Sequence, residues 1–78
     1  MSMPIVFVGI KTHPGQSDAV RDALSSREEV RSICKLYAGQ YDVVMVIEVP
    51  SLEKYHEFVA CVLADHEGVI DFESFIAV

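Results

Sequence analysis

The sequence predicts a single α+β domain with the element order β-α-β-β-α-β. Two runs, residues 4–11 and 43–49, are almost wholly apolar and rich in β-branched side chains, which suit a pleated strand better than a helix. Two other segments, residues 16–26 and 52–67, repeat apolar residues at the spacing of a helix that packs on one side.

Size and composition limit what the chain can be. The 78 residues make one domain, residues 1–78, and a domain this small buries only about 60% of its unfolded surface. Yet 51% of the residues are apolar, a surplus that association with a second copy would bury. The net charge of −6 argues against binding to nucleic acid or to an anionic membrane. No apolar run approaches the ~20 residues of a membrane span.

The sequence has no recognisable catalytic, metal or cofactor site. Cys34 and Cys61 lack the Cys-x-x-Cys spacing of a zinc or redox site, and we expect buried, inert thiols. With no signal peptide, the expected compartment is the cytoplasm, and we expect a non-enzyme without a cofactor. The carboxylates near the C-terminus are expected to form a solvated acidic rim; they are Asp65, Glu67, Asp71 and Glu73. The alternative is that they set a preference for a cation or a partner at an assembly interface.

The first strand and helix have clear limits. Pro4 suits the start of a strand, where a missing N–H is tolerated, and Pro14-Gly15 predicts a turn after the strand of residues 4–11. A helix over residues 16–26 follows. Its apolar stripe consists of Ala19, Val20, Ala23 and Leu24.

The next two strands are predicted to form a tight hairpin. A strand over residues 30–38 alternates between two faces, with Val30 on one and Ile33 on the other. Gly39-Gln40 forms a two-residue type II′ loop, and a strand over residues 41–49 returns antiparallel. This last strand does not alternate between apolar and polar residues, so both of its faces should be covered.

The second half of the chain completes the fold. Ser51 is the predicted N-cap of the second helix and Gly68 its stop, and residues 69–78 form a last strand with Phe72 and Ser74 on one face. Right-handed crossovers then give the ferredoxin-like fold, a four-stranded antiparallel sheet with two helices on one face. We expect the other face to pack on a second copy, forming a dimer through the sheets.

Several segments together resemble a known family. Gly39-Gln40-Tyr41-Asp42 leads into the apolar strand of residues 43–49, the second helix contains Tyr55-His56-Glu57-Phe58-Val59, and Gly68-Val69 precedes the last strand. In this order they resemble the effector-binding (RAM) domain of the Lrp/AsnC transcription regulators over nearly the whole chain. Members usually carry an N-terminal helix-turn-helix domain, for which this sequence leaves no room, so the resemblance implies a stand-alone RAM protein.

The resemblance implies a regulatory function. Members of the family dimerise through their sheets, often assemble rings of dimers, and bind a free amino acid between dimers at the turn matching residues 39–42. Two threonines that the family tends to carry in its last strand correspond to Phe72 and Ser74, and Phe72 replaces a hydroxyl with bulk. The implied partners are a second copy, an amino acid effector and full-length Lrp/AsnC regulators, through which a chain without a DNA-binding domain would act.

The Gly39-Gln40-Tyr41-Asp42 turn is the candidate ligand site. Backbone N–H groups at Gly39 suit a carboxylate, Asp42 suits an ammonium group, and the Tyr41 ring suits a side chain. The alternative is a plain hairpin in which Gly39 satisfies the turn geometry and Asp42 is solvated. The complete predicted ligand-binding set is Gly39, Gln40, Tyr41, Asp42, Phe72 and Ser74.

Two other functions remain as alternatives. A small dimeric α+β barrel enzyme, of the cofactor-independent monooxygenase or isomerase type, would need polar residues pointing into a pocket between sheet and helices. The central strands supply almost none. A ligand-free assembly module is the other alternative, and Phe72 supports it because it departs from the family's binding residues.

Overall fold

Residues 4–77, which a computed structural model describes, form strands and helices in the predicted order. The elements are β1 (Ile5–Thr12), α1 (Ser17–Ser25), β2 (Val30–Lys35), β3 (Val43–Glu48), α2 (Leu52–Phe58), a π-helical continuation (Val59–Leu63) and β4 (Val69–Ile76). The strands pair antiparallel in the order β2-β3-β1-β4. The ferredoxin-like fold is therefore confirmed, with the two apolar runs as its central strands.

The core lies between one face of the sheet and the helices. Every second residue of β3 is buried, and β1 alternates in the same way, because successive side chains of a strand point to opposite faces. The helices close this layer with one face each. The core side chains are Val6, Val8, Ile10, Val20, Leu24, Val43, Met45, Ile47, Val49, Tyr55, Phe58 and Leu63.

The opposite face of the sheet, which we call the open face, is also apolar at its centre. Phe7 on β1 and Phe75 on β4 lie opposite each other, and they are 44% and 51% exposed. Val44 and Val46 of β3 lie beside them and are half-buried. These four side chains give the open face a contiguous apolar centre.

The predicted two-residue hairpin is wrong. Strand β2 ends at Lys35, β3 begins at Val43, and residues 36–42 form a longer loop between them. The N–H of Leu36 donates to the C=O of Asp42 at 2.8 Å and closes the base of this loop. Gly39 has a φ of +120°, far from the value near +60° that the first residue of a type II′ turn requires.

The predicted faces of β2 are also wrong. A bulge between Val30 and Ser32 adds one residue to β2 relative to β3. Because an extra residue reverses the alternation, Val30 and Ile33 both pack against the core instead of pointing to opposite faces. Arg31, the added residue, forms an ion pair with Glu48.

Both cysteines are exposed, so the expectation of buried thiols is wrong. Cys34 follows the bulge and lies opposite Val44, on the open face. Cys61 lies in the π-helical segment. Between residues 4 and 77, no group of His, Cys, Asp or Glu side chains is arranged to hold a metal ion, and no helix has the length and apolar character to cross a bilayer.

The second helix begins as predicted and ends earlier. The Ser51 hydroxyl accepts from the N–H of Lys54 at 3.2 Å, which confirms the N-cap. The helical segment stops at Leu63 rather than at Gly68. At Gly68 an added Cβ would lie 2.6 Å from Cγ2 of Val20, so this glycine permits the chain before β4 to approach α1 closely.

Candidate ligand-binding site

The Gly39-Gln40-Tyr41-Asp42 turn forms the second half of the loop between β2 and β3. Residues 36–40 are exposed, and Tyr41 and Asp42 are half-buried. An added Cβ at Gly39 would meet nothing within 4 Å, so the positive φ rather than crowding is what favours glycine there. The backbone of the turn is therefore exposed to solvent, while the hydrogen bond between Leu36 and Asp42 holds the base of the loop in place.

Asp42 anchors this turn to β1. Its N–H donates to the C=O of Ile10 at 2.9 Å, and its Oδ2 accepts from the N–H of Thr12 at 2.8 Å and from the Thr12 hydroxyl at 3.3 Å. Thr12 lies beyond the last β1–β3 pair, so the carboxylate takes the place of a strand partner. The Thr12 hydroxyl also lies 3.0 Å from the hydroxyl of Ser17, at the start of α1. One carboxylate thus joins β3, β1 and α1.

Tyr41 lies across β1 on the open face. An added Cβ at Gly9 would be 2.7 Å from Cδ2 of Tyr41, so the ring rests directly on the Gly9 backbone. The Tyr41 hydroxyl donates a hydrogen bond to the carboxylate of Glu73, which lies opposite Gly9 on β4. This hydrogen bond, with smaller contributions from desolvation and from the charges of Glu73 and Asp71, raises the pKa of Tyr41.

The turn and β4 border a shallow cleft of about 380 Å³, which we call the edge cleft. Its lining residues are Lys11, Gln40, Tyr41, Asp71, Phe72 and Glu73. Three residues of the predicted ligand-binding set are thus brought together, one of them from the last strand. The lining is mostly polar or charged.

The other predicted residues lie outside this cleft. Ser74 lies opposite Val8, and its hydroxyl is hydrogen-bonded to that of Tyr55 of α2, which places it on the helix side of the sheet. Burial raises the pKa of Tyr55. Gly39 is exposed and Asp42 points toward Thr12. The structure therefore divides the predicted set: Gln40, Tyr41 and Phe72 line the cleft, Asp42 anchors the turn, Ser74 lies on the helix side, and Gly39 is exposed outside the cleft.

Sequence reasoning missed three charged residues of the edge cleft. The sequence places Asp71 and Glu73 in an acidic rim, solvated or at an assembly interface, and it gives no signal for Lys11. In the β1–β4 pairing, Lys11 lies opposite Asp71 and Gly9 opposite Glu73. Two carboxylates spaced by two residues in a strand share one face, which is the pattern that could have revealed them.

A second cleft, of about 500 Å³, lies at the other end of β3. Arg27, Glu48, Phe58 and Cys61 are among its lining residues, and the Arg27 guanidinium lies 6.0 Å from the centre of the Phe58 ring. The length of β3 separates the two clefts by about 20 Å. No residue of the predicted ligand-binding set lines the second cleft.

A model of the Lrp/AsnC ligand binding domain matches residues 5–78. The chain belongs to this family. The predicted family is confirmed, and it supports a small-molecule-binding regulatory domain. No curated protein sequence matches the chain.

Solved structures share the fold of this Lrp/AsnC domain. FFRP-DM1 superimposes with a TM-score of 0.93 at 22% identity, covering 97% of this chain and 100% of that one. AsnC from E. coli gives 0.88 at 16% identity, covering 96% of this chain and 50% of that one. A transcriptional regulator from Neisseria meningitidis, in complex with L-Met, gives 0.81 at 22% identity, covering 96% and 49%.

Replacing Asp42 by Ala should lower the free energy of unfolding by about 1–3 kcal/mol, because the buried N–H and hydroxyl of Thr12 lose their acceptor. Asp65→Ala removes the same charge from an exposed position and should change stability by less than about 0.5 kcal/mol. Urea unfolding followed by circular dichroism measures both. Equal stability of the two variants would contradict the anchoring role of Asp42.

Replacing Glu73 by Gln should lower the pKa of Tyr41, because the hydrogen bond to the carboxylate is the main cause of its elevation. Protonated Tyr41 stabilises the fold below its unfolded pKa of about 10, and this contribution is lost as the pH rises through the elevated folded pKa. NMR titration of ¹³C-labelled tyrosine rings measures the shift. Tyr55 is the internal control, because burial rather than Glu73 raises its pKa. An unchanged pKa of Tyr41 in the variant would refute the hydrogen bond to Glu73 as the cause of its elevation.

Proposed function

We propose that this chain is a non-enzymatic, self-associating sensor that binds a free amino acid at the Gly39-Gln40-Tyr41-Asp42 turn. The observation that carries the proposal is the position of Tyr41, which lines the edge cleft and also lies on the open face. A ligand at the turn would therefore contact a residue of the proposed association surface. The Neisseria relative, solved in complex with L-Met, supports an amino acid as the ligand class.

The proposed ligand contacts follow from the geometry of the turn. The exposed backbone at Gly39 receives the carboxylate, while Gln40 and Tyr41 contact the remainder of the ligand in the edge cleft. Asp42 positions the turn through Thr12. Phe72 borders the cleft from β4 while it packs against the core, and Ser74, whose hydroxyl is bonded to Tyr55 on the helix side, supports the strand rather than the ligand.

The proposed partner at the open face is a second copy of the chain. Phe7, Phe75, Val44 and Val46 present an apolar centre that a two-fold related copy can cover with the same four residues. A ligand that binds one assembly state better than another shifts the population by mass action. The regulatory output would then pass to another protein, such as a full-length Lrp/AsnC regulator.

The packing between sheet and helices supports a non-enzymatic function. A barrel-type enzyme would need polar side chains pointing into a pocket between these layers. Buried aliphatic side chains from β1, β3 and α1 fill that space instead, with the Tyr55 hydroxyl bonded to Ser74 at its margin. An assembly module without a ligand is the second candidate, favoured by the placement of Phe72 against the core.

Phe7→Asp should shift the chain toward monomers, because a charge in the centre of an apolar interface is costly to desolvate. Leu52→Asp is the matched control: Leu52 is 43% exposed, close to the 44% of Phe7, and lies on α2 away from the open face. Sedimentation equilibrium gives the association state of each variant. The same association state for both variants would rule out the open face as the interface.

Thermal unfolding in the presence of each proteinogenic amino acid tests the sensor function. A ligand at 100 times its dissociation constant adds about 2.7 kcal/mol, which raises the melting temperature of a domain this size by roughly 10 °C or more. Gly39→Ala should reduce this shift. Gly15→Ala, at the other glycine with positive φ, should retain it. A panel without any shift would favour the assembly module.

A further inference from the structure

The edge cleft holds more negative than positive charge. Lys11 of β1 lies opposite Asp71 of β4, and Glu73 lies two residues further along β4, so the lining carries two carboxylates and one ammonium group. The two carboxylates are two residues apart in a strand, which separates them by about 7 Å on one face. In the part of the chain from residue 4 to residue 77, none of the three side chains forms a salt bridge.

Both carboxylates can accept further hydrogen bonds. Asp71 accepts from the N–H of Phe72 at 2.9 Å, and Glu73 accepts from the Tyr41 hydroxyl. An ionised carboxylate has about four acceptor positions, so each still has room for a cationic donor. Asp42, in contrast, directs its Oδ2 to the backbone and side chain of Thr12. The carboxylates that face the edge cleft are thus those of β4.

We infer that the edge cleft selects a basic amino acid, of the lysine, ornithine or arginine class. The α-carboxylate of such a ligand, which the Gly39 backbone receives, is also attracted by the Lys11 ammonium group, and its two cationic groups pair with Asp71 and Glu73. A neutral amino acid leaves one of these carboxylates without a counter-ion, and an acidic one adds repulsion. This inference rests on the proposed function, because it names the ligand class of the same site.

The spacing of the carboxylates fits this ligand class. Cations held on Asp71 and Glu73 would be separated by about the distance between alternate residues of a strand. An extended lysine side chain places its ε-ammonium group at a comparable distance from its α-ammonium group. The Tyr41 hydroxyl, which donates to Glu73, keeps that carboxylate on the cleft side of β4.

Calorimetric titration of the full chain with L-lysine and with L-norleucine tests the inference. Norleucine has the carbon chain of lysine without the ε-ammonium group, so lysine should bind at least about tenfold more tightly. Glu73→Gln and Asp71→Asn should each weaken lysine binding by at least about tenfold. Asp65→Asn makes the same change of net charge at an exposed position outside the cleft and should keep the affinity within about twofold.

The outcomes separate this inference from the proposed function. If norleucine binds as tightly as lysine, the basic class is refuted while amino acid binding stands. If lysine binding is lost in Gly39→Ala but unchanged in Glu73→Gln and Asp71→Asn, the turn binds lysine without these carboxylates, and the inference fails. If no amino acid binds, the proposed sensor function and the inference fail together.

Discussion

The hydrogen bonds between the Asp42 carboxylate and Thr12 fix the corner on which the candidate site depends. They replace strand pairing at the point where β3 has not yet begun, and they connect through the Thr12 hydroxyl to Ser17 of α1. Because Thr12 holds this corner, residues 36–41 can form an irregular loop while the pairing of the sheet is preserved. The loop therefore combines an exposed backbone with a defined position, which a binding site requires.

Tyr41, the residue before Asp42, connects that corner to β1 and to β4. Its ring fits against β1 only because Gly9 has no side chain, and its hydroxyl donates to Glu73 of β4. Because this residue contacts the backbone of a central strand, the edge cleft and the open face, the proposed ligand site would lie directly beside the proposed association surface. No long-range pathway is needed to connect them.

The sequence predicted the elements whose patterns depend on burial alone. Strands β1 and β3 followed from unbroken apolar runs, and α1 from its apolar stripe. The bulge at Arg31 escaped prediction because the residues of β2 alternate acceptably in either register. The inward direction of Asp42 and the grouping of Lys11 with Asp71 and Glu73 depend on pairing between distant strands, which composition and spacing in one segment do not encode.

The two outer strands carry features that oppose pairing with further strands at the edges of the sheet. Exposed strand edges invite pairing with other chains, and charged side chains or bulges discourage it. Here β4 carries Asp71 and Glu73, and β2 carries a bulge with Arg31. Lateral growth of the sheet from copy to copy is therefore disfavoured at both borders. The apolar surface is thereby concentrated on the open face of the sheet, while both edges carry features that oppose fibre-like aggregation.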